Sequence, residues 1–160
     1  MRHPLRIAAL AAIVLAGADA LPAFADGPIA VVAAENFYGD LAQQIGDTHV
    51  VVTSILSSPD ADPHLFESSA STARTLADAS IVITNGADYD PWMDKLLATA
   101  ATGERKVIVA AELTGHKSGD NPHLWYDPQT FPAVAAALAM ALEARDPANA
   151  VEYGANLQKF

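Results

Sequence analysis

Four short apolar runs, rich in β-branched residues, punctuate this chain, and each is followed by a turn signal and then a helical pattern. The runs are Ile29 to Ala34, Val50 to Ile55, Ala79 to Thr84 and Val107 to Ala110. Strands that read as unbroken apolar stretches, without polar alternation, are those covered on both faces. Their alternation with helices predicts an α/β fold with a four-stranded, mainly parallel sheet flanked by helices. The helical stretches agree with this. Phe37, Leu41 and Ile45 recur at i, i+4 and i+8, and Gly46 is placed to end that helix. Ser68 or Ser69 can cap a short helix to about Ala77. Asp90-Pro91 joins a capping residue to a proline at the first helical position, for a helix to about Ala100. Asp127-Pro128 opens another, with Phe131, Val134, Leu138 and Leu142 along one face, and Asp146-Pro147 opens a last one through Val151 and Leu157.

The first residues set the expected compartment. Arg2, His3 and Arg6 flank an apolar stretch from Ile7 to Ala16, and Ala23-Phe24-Ala25 is a small-x-small cleavage site. Residues 1–25 thus read as a secretory signal peptide and not as a membrane span. Its removal leaves residues 26–160, the size of one ordinary domain. The leader carries Arg2 and Arg6 against Asp19, so the remainder is one unit more acidic than the −10 of the whole chain. Such acidity argues against nucleic acid and anionic lipid as partners. There is no cysteine. Thiolate metal sites, disulfides and a lipid-modified cysteine at the leader junction are therefore not expected, and a soluble periplasmic protein, not inserted in the membrane after cleavage, is.

The chemistry is carried by a phrase that occurs twice: Asp62-Pro63-His64-Leu65-Phe66 and Asn121-Pro122-His123-Leu124-Trp125. Each copy follows an apolar run and holds an imidazole behind a proline in a stiff loop. In parallel sheets ligands bind at the carboxyl ends of the strands. His64 follows the second strand and His123 the fourth, so both are expected on the same edge, as a pair of metal ligands. Asp62, Asn121 and Glu67 are candidates to orient these rings. Turn shaping before proline is the simpler role for Asp62 and Asn121, and helix capping for Glu67. His49 reads as a solvated strand-edge residue and His116 as part of an ordinary polar loop. Trp92, Trp125, Phe66 and Tyr126 read as core and loop-anchoring residues.

Beyond the Pro-His phrases, two stretches complete a recognisable set: Ala34-Glu35-Asn36-Phe37-Tyr38-Gly39-Asp40 and Ile83-Thr84-Asn85-Gly86-Ala87-Asp88-Tyr89-Asp90-Pro91-Trp92. With Asp62 to Glu67 and Asn121 to Pro128, they make the chain resemble the N-terminal half of the periplasmic metal-binding proteins of ABC importers, the zinc and manganese type. The resemblance implies two (β/α) lobes joined by a long helix, with the metal held between them. It maps the first lobe's two histidines onto His64 and His123, residues 26–145 onto the first lobe, and 146–160 onto the start of a truncated linker helix. It implies a metal ion and a membrane permease as partners.

Three function classes follow: an importer's metal receptor, a metal-dependent hydrolase, or an adhesin-like exported module. No His-Glu-x-x-His or Gly-x-Ser-x-Gly phrase is present, so no enzyme is expected. Zn²⁺ is the first choice of ion, with Mn²⁺ or Fe²⁺ as alternatives, since two nitrogen donors suit all three.

Overall fold

The computed structural model describes residues 27–58, 60–99 and 104–160. The expected leader over 1–25, and the expected helix end at Ala100, lie outside these residues. Strands β1 (Ile29–Glu35), β2 (Val50–Leu56), β3 (Ile81–Thr84) and β4 (Lys106–Val109) form one sheet in the order β2-β1-β3-β4. All three pairings are parallel, with Ile29 opposite Val50, Val31 opposite Ile81 and Ile81 opposite Lys106. The chain therefore leaves every strand at the same edge.

Alternation along β1 splits the core in two. Ile29, Val31 and Ala33 face helices α1 (Asn36–Gly46), α5 (Thr130–Arg145) and α6 (Ala150–Lys159), through Tyr38, Leu41, Val134, Leu138 and Tyr153. Val32 and Ala34 face α2 (Ala70–Ala77) and α3 (Pro91–Thr99), through Leu76, Trp92, Met93 and Leu96. Full burial on both faces holds for the central strand β3, and nearly so for β1, whereas the edge strands β2 and β4 are partly exposed. Val51, for example, is 55% exposed.

Local signals were read correctly in several places and differently in others. Ser69 caps α2 by accepting from the Thr72 amide at 3.1 Å. Gly46 is the last residue of α1, as expected, but the positive φ (47°) falls on the next residue, Asp47. A short helix α4 (Ala110–Thr114) fills what the sequence suggested was loop, and Gly115 closes it in the left-handed region. Five residues are too few to show a helical period. His49 is not a free edge residue: its Nε2 lies 3.1 Å from Glu152 Oε2, and its ring meets Tyr153 edge-on at 5.6 Å. The segment expected to begin a linker helix packs onto the lobe. Tyr153 is fully buried and donates to Asp146 Oδ2 at 2.7 Å, and Asn156 Nδ2 donates to the Ile45 carbonyl at 3.1 Å.

The turn after β3 depends on Gly86. Its φ is +75°, and a Cβ there would sit 2.8 Å from Val109 Cγ1 and 3.0 Å from Ala111 Cβ. A Gly86→Ala variant combines left-handed strain with a clash, so it is expected to lose roughly 2–4 kcal/mol of unfolding free energy. Urea denaturation measures this, and a loss below about 0.5 kcal/mol would show that the turn relaxes freely.

Candidate metal centre

Helix α1 covers one face of the sheet and α3 the other, so the chain turns opposite ways after β1 and β3. These two strands are neighbours. The crevice at their carboxyl ends is the place where doubly wound sheets bind ligands.

The second Pro-His loop is held by polar contacts from this crevice. Asn85, fully buried just after β3, donates through Nδ2 to the Pro122 carbonyl and the Gly86 carbonyl, both at 2.9 Å. Its Oδ1 accepts from the Tyr38 hydroxyl at 2.8 Å. Asp90 holds the same turn from below. Its carboxylate accepts from the Asn85 and Gly86 amides, each at 2.8 Å, and from the Thr84 hydroxyl. Burial pushes the Asp90 carboxyl up from its ordinary value, and the Thr84, Gly86 and Asn85 hydrogen bonds pull it back. The sequence marked Asp90 as a helix cap and set Asn85, Gly86 and Asp90 in the Ile83–Trp92 stretch; that this turn carries a second loop was not visible there.

His123 is exposed, and its ring is fixed on one side. Asn121 Oδ1 accepts from the His123 amide at 3.1 Å and lies 2.8 Å from its Nδ1. An amide oxygen only accepts, so Nδ1 carries the proton and Nε2 presents a lone pair. Asn121 thus both shapes the turn and orients the ring. Trp125 and Tyr89 flank the imidazole edge-on, at 5.2 and 5.9 Å, and Trp125 rests on Phe37 at 5.0 Å. Leu124 beside it is 2% exposed.

The first loop is anchored differently. His64 is the middle residue of a 3-10 turn, Pro63–Leu65, closed by the Leu65 amide on the Asp62 carbonyl at 3.2 Å. Leu65 is 77% exposed, unlike its counterpart Leu124. Phe66 holds the loop instead, packing at a tilt against the buried Trp92 with ring centroids 4.5 Å apart. Glu67 is exposed and caps nothing, since Ser69 has that role. Tyr126 is 81% exposed, so it is not the loop anchor expected of it. His116 stays in its loop, with Nδ1 2.9 Å from Thr114 Oγ1.

The two loops approach each other across Tyr89, which touches the His123 ring and also lines a cavity of about 150 Å³ beneath Pro63. Glu35, the last residue of β1, lies in the same cavity. It is 3% exposed, and neither carboxylate oxygen has a hydrogen-bond partner. Burial, helped by the neighbouring Asp90 carboxylate, pushes its carboxyl up to about 9. Burial and the Glu35, Asp62 and Asp90 carboxylates likewise hold the Tyr89 phenol in its protonated form. The sequence placed Glu35 only within the Ala34–Asp40 stretch, with no role of its own. Among the described residues no three His, Asp or Glu side chains form a ready metal cage, and no helix is long and apolar enough to cross a membrane.

The fold is a parallel α/β lobe with two loops at its carboxyl edge. Solved structures agree. A manganese-bound periplasmic metal-binding protein from Candidatus Liberibacter asiaticus superposes with a TM-score of 0.70 at 23% identity, over 82% of this chain and 51% of that one. Zinc-bound AdcA from Streptococcus pneumoniae gives a TM-score of 0.69 at 20% identity, over 83% of this chain and 30% of that one. The profile of the family described as "Zinc-uptake complex component A periplasmic" matches residues 31–160, and the chain belongs to that family. The manganese-binding lipoprotein MntA of Bacillus subtilis is 30% identical over 117 residues, covering 69% of this chain and 38% of that protein. The high-affinity zinc uptake system protein ZnuA of Paracoccus denitrificans is 28% identical over 185 residues, covering 89% of this chain and 56% of that protein. The chain thus spans about half the length, or less, of these relatives.

Proposed function

We propose that this chain is the first-lobe portion of the periplasmic metal-binding component of an ABC importer, with zinc as its preferred cargo and manganese or iron as alternatives. His64 and His123 are the ligands this lobe contributes. The observation that carries the reading is the exposed His123 ring, pinned through Nδ1 by Asn121, on the sheet edge that the other Pro-His loop also occupies. Residues 26–145 make the lobe, 146–160 lead toward the remainder of the protein, and a membrane permease receives the ion. Export through the leader over 1–25 puts the lobe in the periplasm. The reading assigns no catalysis.

Calorimetric titration with zinc chloride tests it. Wild type is expected to bind one zinc per chain, and the His64→Ala/His123→Ala double variant to lose that binding. Equal affinity in the two would sink the reading. Binding needs neutral imidazole, so affinity is expected to fall on acidification. Zinc should bind more tightly than manganese to imidazole donors, and the reverse order would favour a manganese receptor. Zinc-dependent turnover of ester substrates would instead favour the hydrolase.

A further inference from the structure

The turn after β3 carries three successive residues in the left-handed region. Gly86, Ala87 and Asp88 have φ of +75°, +50° and +63°. Side chains with a Cβ are strained there, so such a run persists only where the surrounding structure imposes it. Here the Tyr89 amide closes on the Gly86 carbonyl at 3.0 Å, and the Asp90 carboxylate holds the Asn85 and Gly86 amides. Asp88 Oδ2 accepts from the Ser118 hydroxyl at 2.6 Å and from the Gly119 amide at 3.0 Å. Together with the Asn85–Pro122 bond, these contacts grip the loop that carries His123 at two places.

What the strained run delivers is Tyr89. Ala87, at its centre, is buried in the core. Tyr89 is half-buried and belongs to neither apolar cluster, so filling the core does not account for it. Its ring meets the His123 imidazole edge-on at 5.9 Å and Trp125 edge-on at 5.0 Å. It also lines the cavity under Pro63, and the Asp62 carboxylate of that loop acts on its phenol. One rigid ring thus borders both Pro-His loops. A metal site must hold its donors to within about 0.5 Å, and two loops that follow different strands need a spacer between them to reach that precision.

We propose that Tyr89 is a positioning residue of the metal site: its ring sets the His123 imidazole against the Pro63–Leu65 turn, so that the two loops present their donors at one fixed spacing. It acts by the bulk of its ring and not as a ligand. This rests on the two-histidine reading above, and the experiment separates the two. Zinc chloride titrations compare wild type, Tyr89→Phe, Tyr89→Ala, Tyr89→Val and the His64→Ala/His123→Ala variant, and the same proteins are loaded with Co²⁺ to record its visible absorption, which reports donor geometry. Tyr89→Ala and Tyr89→Val are expected to weaken zinc binding about tenfold or more and to alter the cobalt bands. Tyr89→Phe keeps the ring and is expected to restore both. Tyr89→Val keeps a branched side chain on the turn, which guards against a folding defect particular to Ala.

Unchanged zinc affinity and cobalt bands in Tyr89→Ala and Tyr89→Val, with binding lost in the double histidine variant, would overturn this proposal alone. Binding weakened as much in Tyr89→Phe as in Tyr89→Ala would also overturn it, because the hydroxyl and not the ring would then be at work. So would weaker zinc binding with an unaltered cobalt spectrum, since the donors would then keep their geometry without the ring. Wild-type affinity in the double histidine variant would overturn the underlying reading, whatever the Tyr89 variants do.

Discussion

Glu35→Gln is expected to stabilise the protein in the presence of chelator, by an amount that grows with pH. The folded carboxyl is pushed from 4.5 up to about 9, chiefly by burial. Between these values the folded chain holds a proton that the unfolded chain releases. Wild-type stability is therefore complete below about pH 4.5 and is lost as pH rises toward 9. The amide does not titrate, so the variant escapes that loss. The limiting slope is about 1.4 kcal/mol per pH unit, which makes the gain a few kcal/mol at pH 8 and close to zero at pH 5. Urea denaturation of both proteins at pH 5, 7 and 8.5 with EDTA measures it. A difference that is flat with pH would mean that Glu35 finds a partner in solution.

The second large effect is expected at Asn85. Its side chain is fully buried and spends three hydrogen bonds, on the Tyr38 hydroxyl and on the Gly86 and Pro122 carbonyls. Asn85→Ala strands a phenol that is itself fully buried and frees the carbonyl that tethers the His123 loop. Each buried polar group left without a partner costs about 1–3 kcal/mol, so a loss of roughly 3 kcal/mol or more is expected. Tyr38→Phe removes only one of the three contacts and should cost nearer 1 kcal/mol. Hydrogen exchange across residues 121–126 should quicken in Asn85→Ala and much less in Tyr38→Phe. Equal stability of Asn85→Ala and wild type would mean that the loop is held by Leu124 and Trp125 alone.

Several elements were legible in advance because their causes are local. The strands showed as apolar runs, α1 and α5 as helical spacings, and the Ser69 cap as a polar residue before a helix. Elements without a period of their own were missed, such as the five-residue α4. Gly46 ends α1 as its position suggested, but for a reason no local pattern carries: it makes room for Val50, whose Cγ1 would be 2.3 Å from a Cβ. Asn121 was weighed between shaping a turn and orienting a ring. Both are realised, because one carbonyl oxygen reaches the amide and Nδ1 of the same residue.

The amino-acid order alone determined the α/β class, the parallel sheet and the repeated Pro-His loops, since periodicity and turn chemistry act over a few residues. Only the tertiary structure decided how those loops are held and which polar groups lie bare beneath them. The Tyr38–Asn85 and Asn85–Pro122 contacts join residues 47 and 37 positions apart. Glu35 is ordinary in sequence, a polar residue closing an apolar run. Its lack of partners is a property of everything that folds over it, and no local pattern carries that.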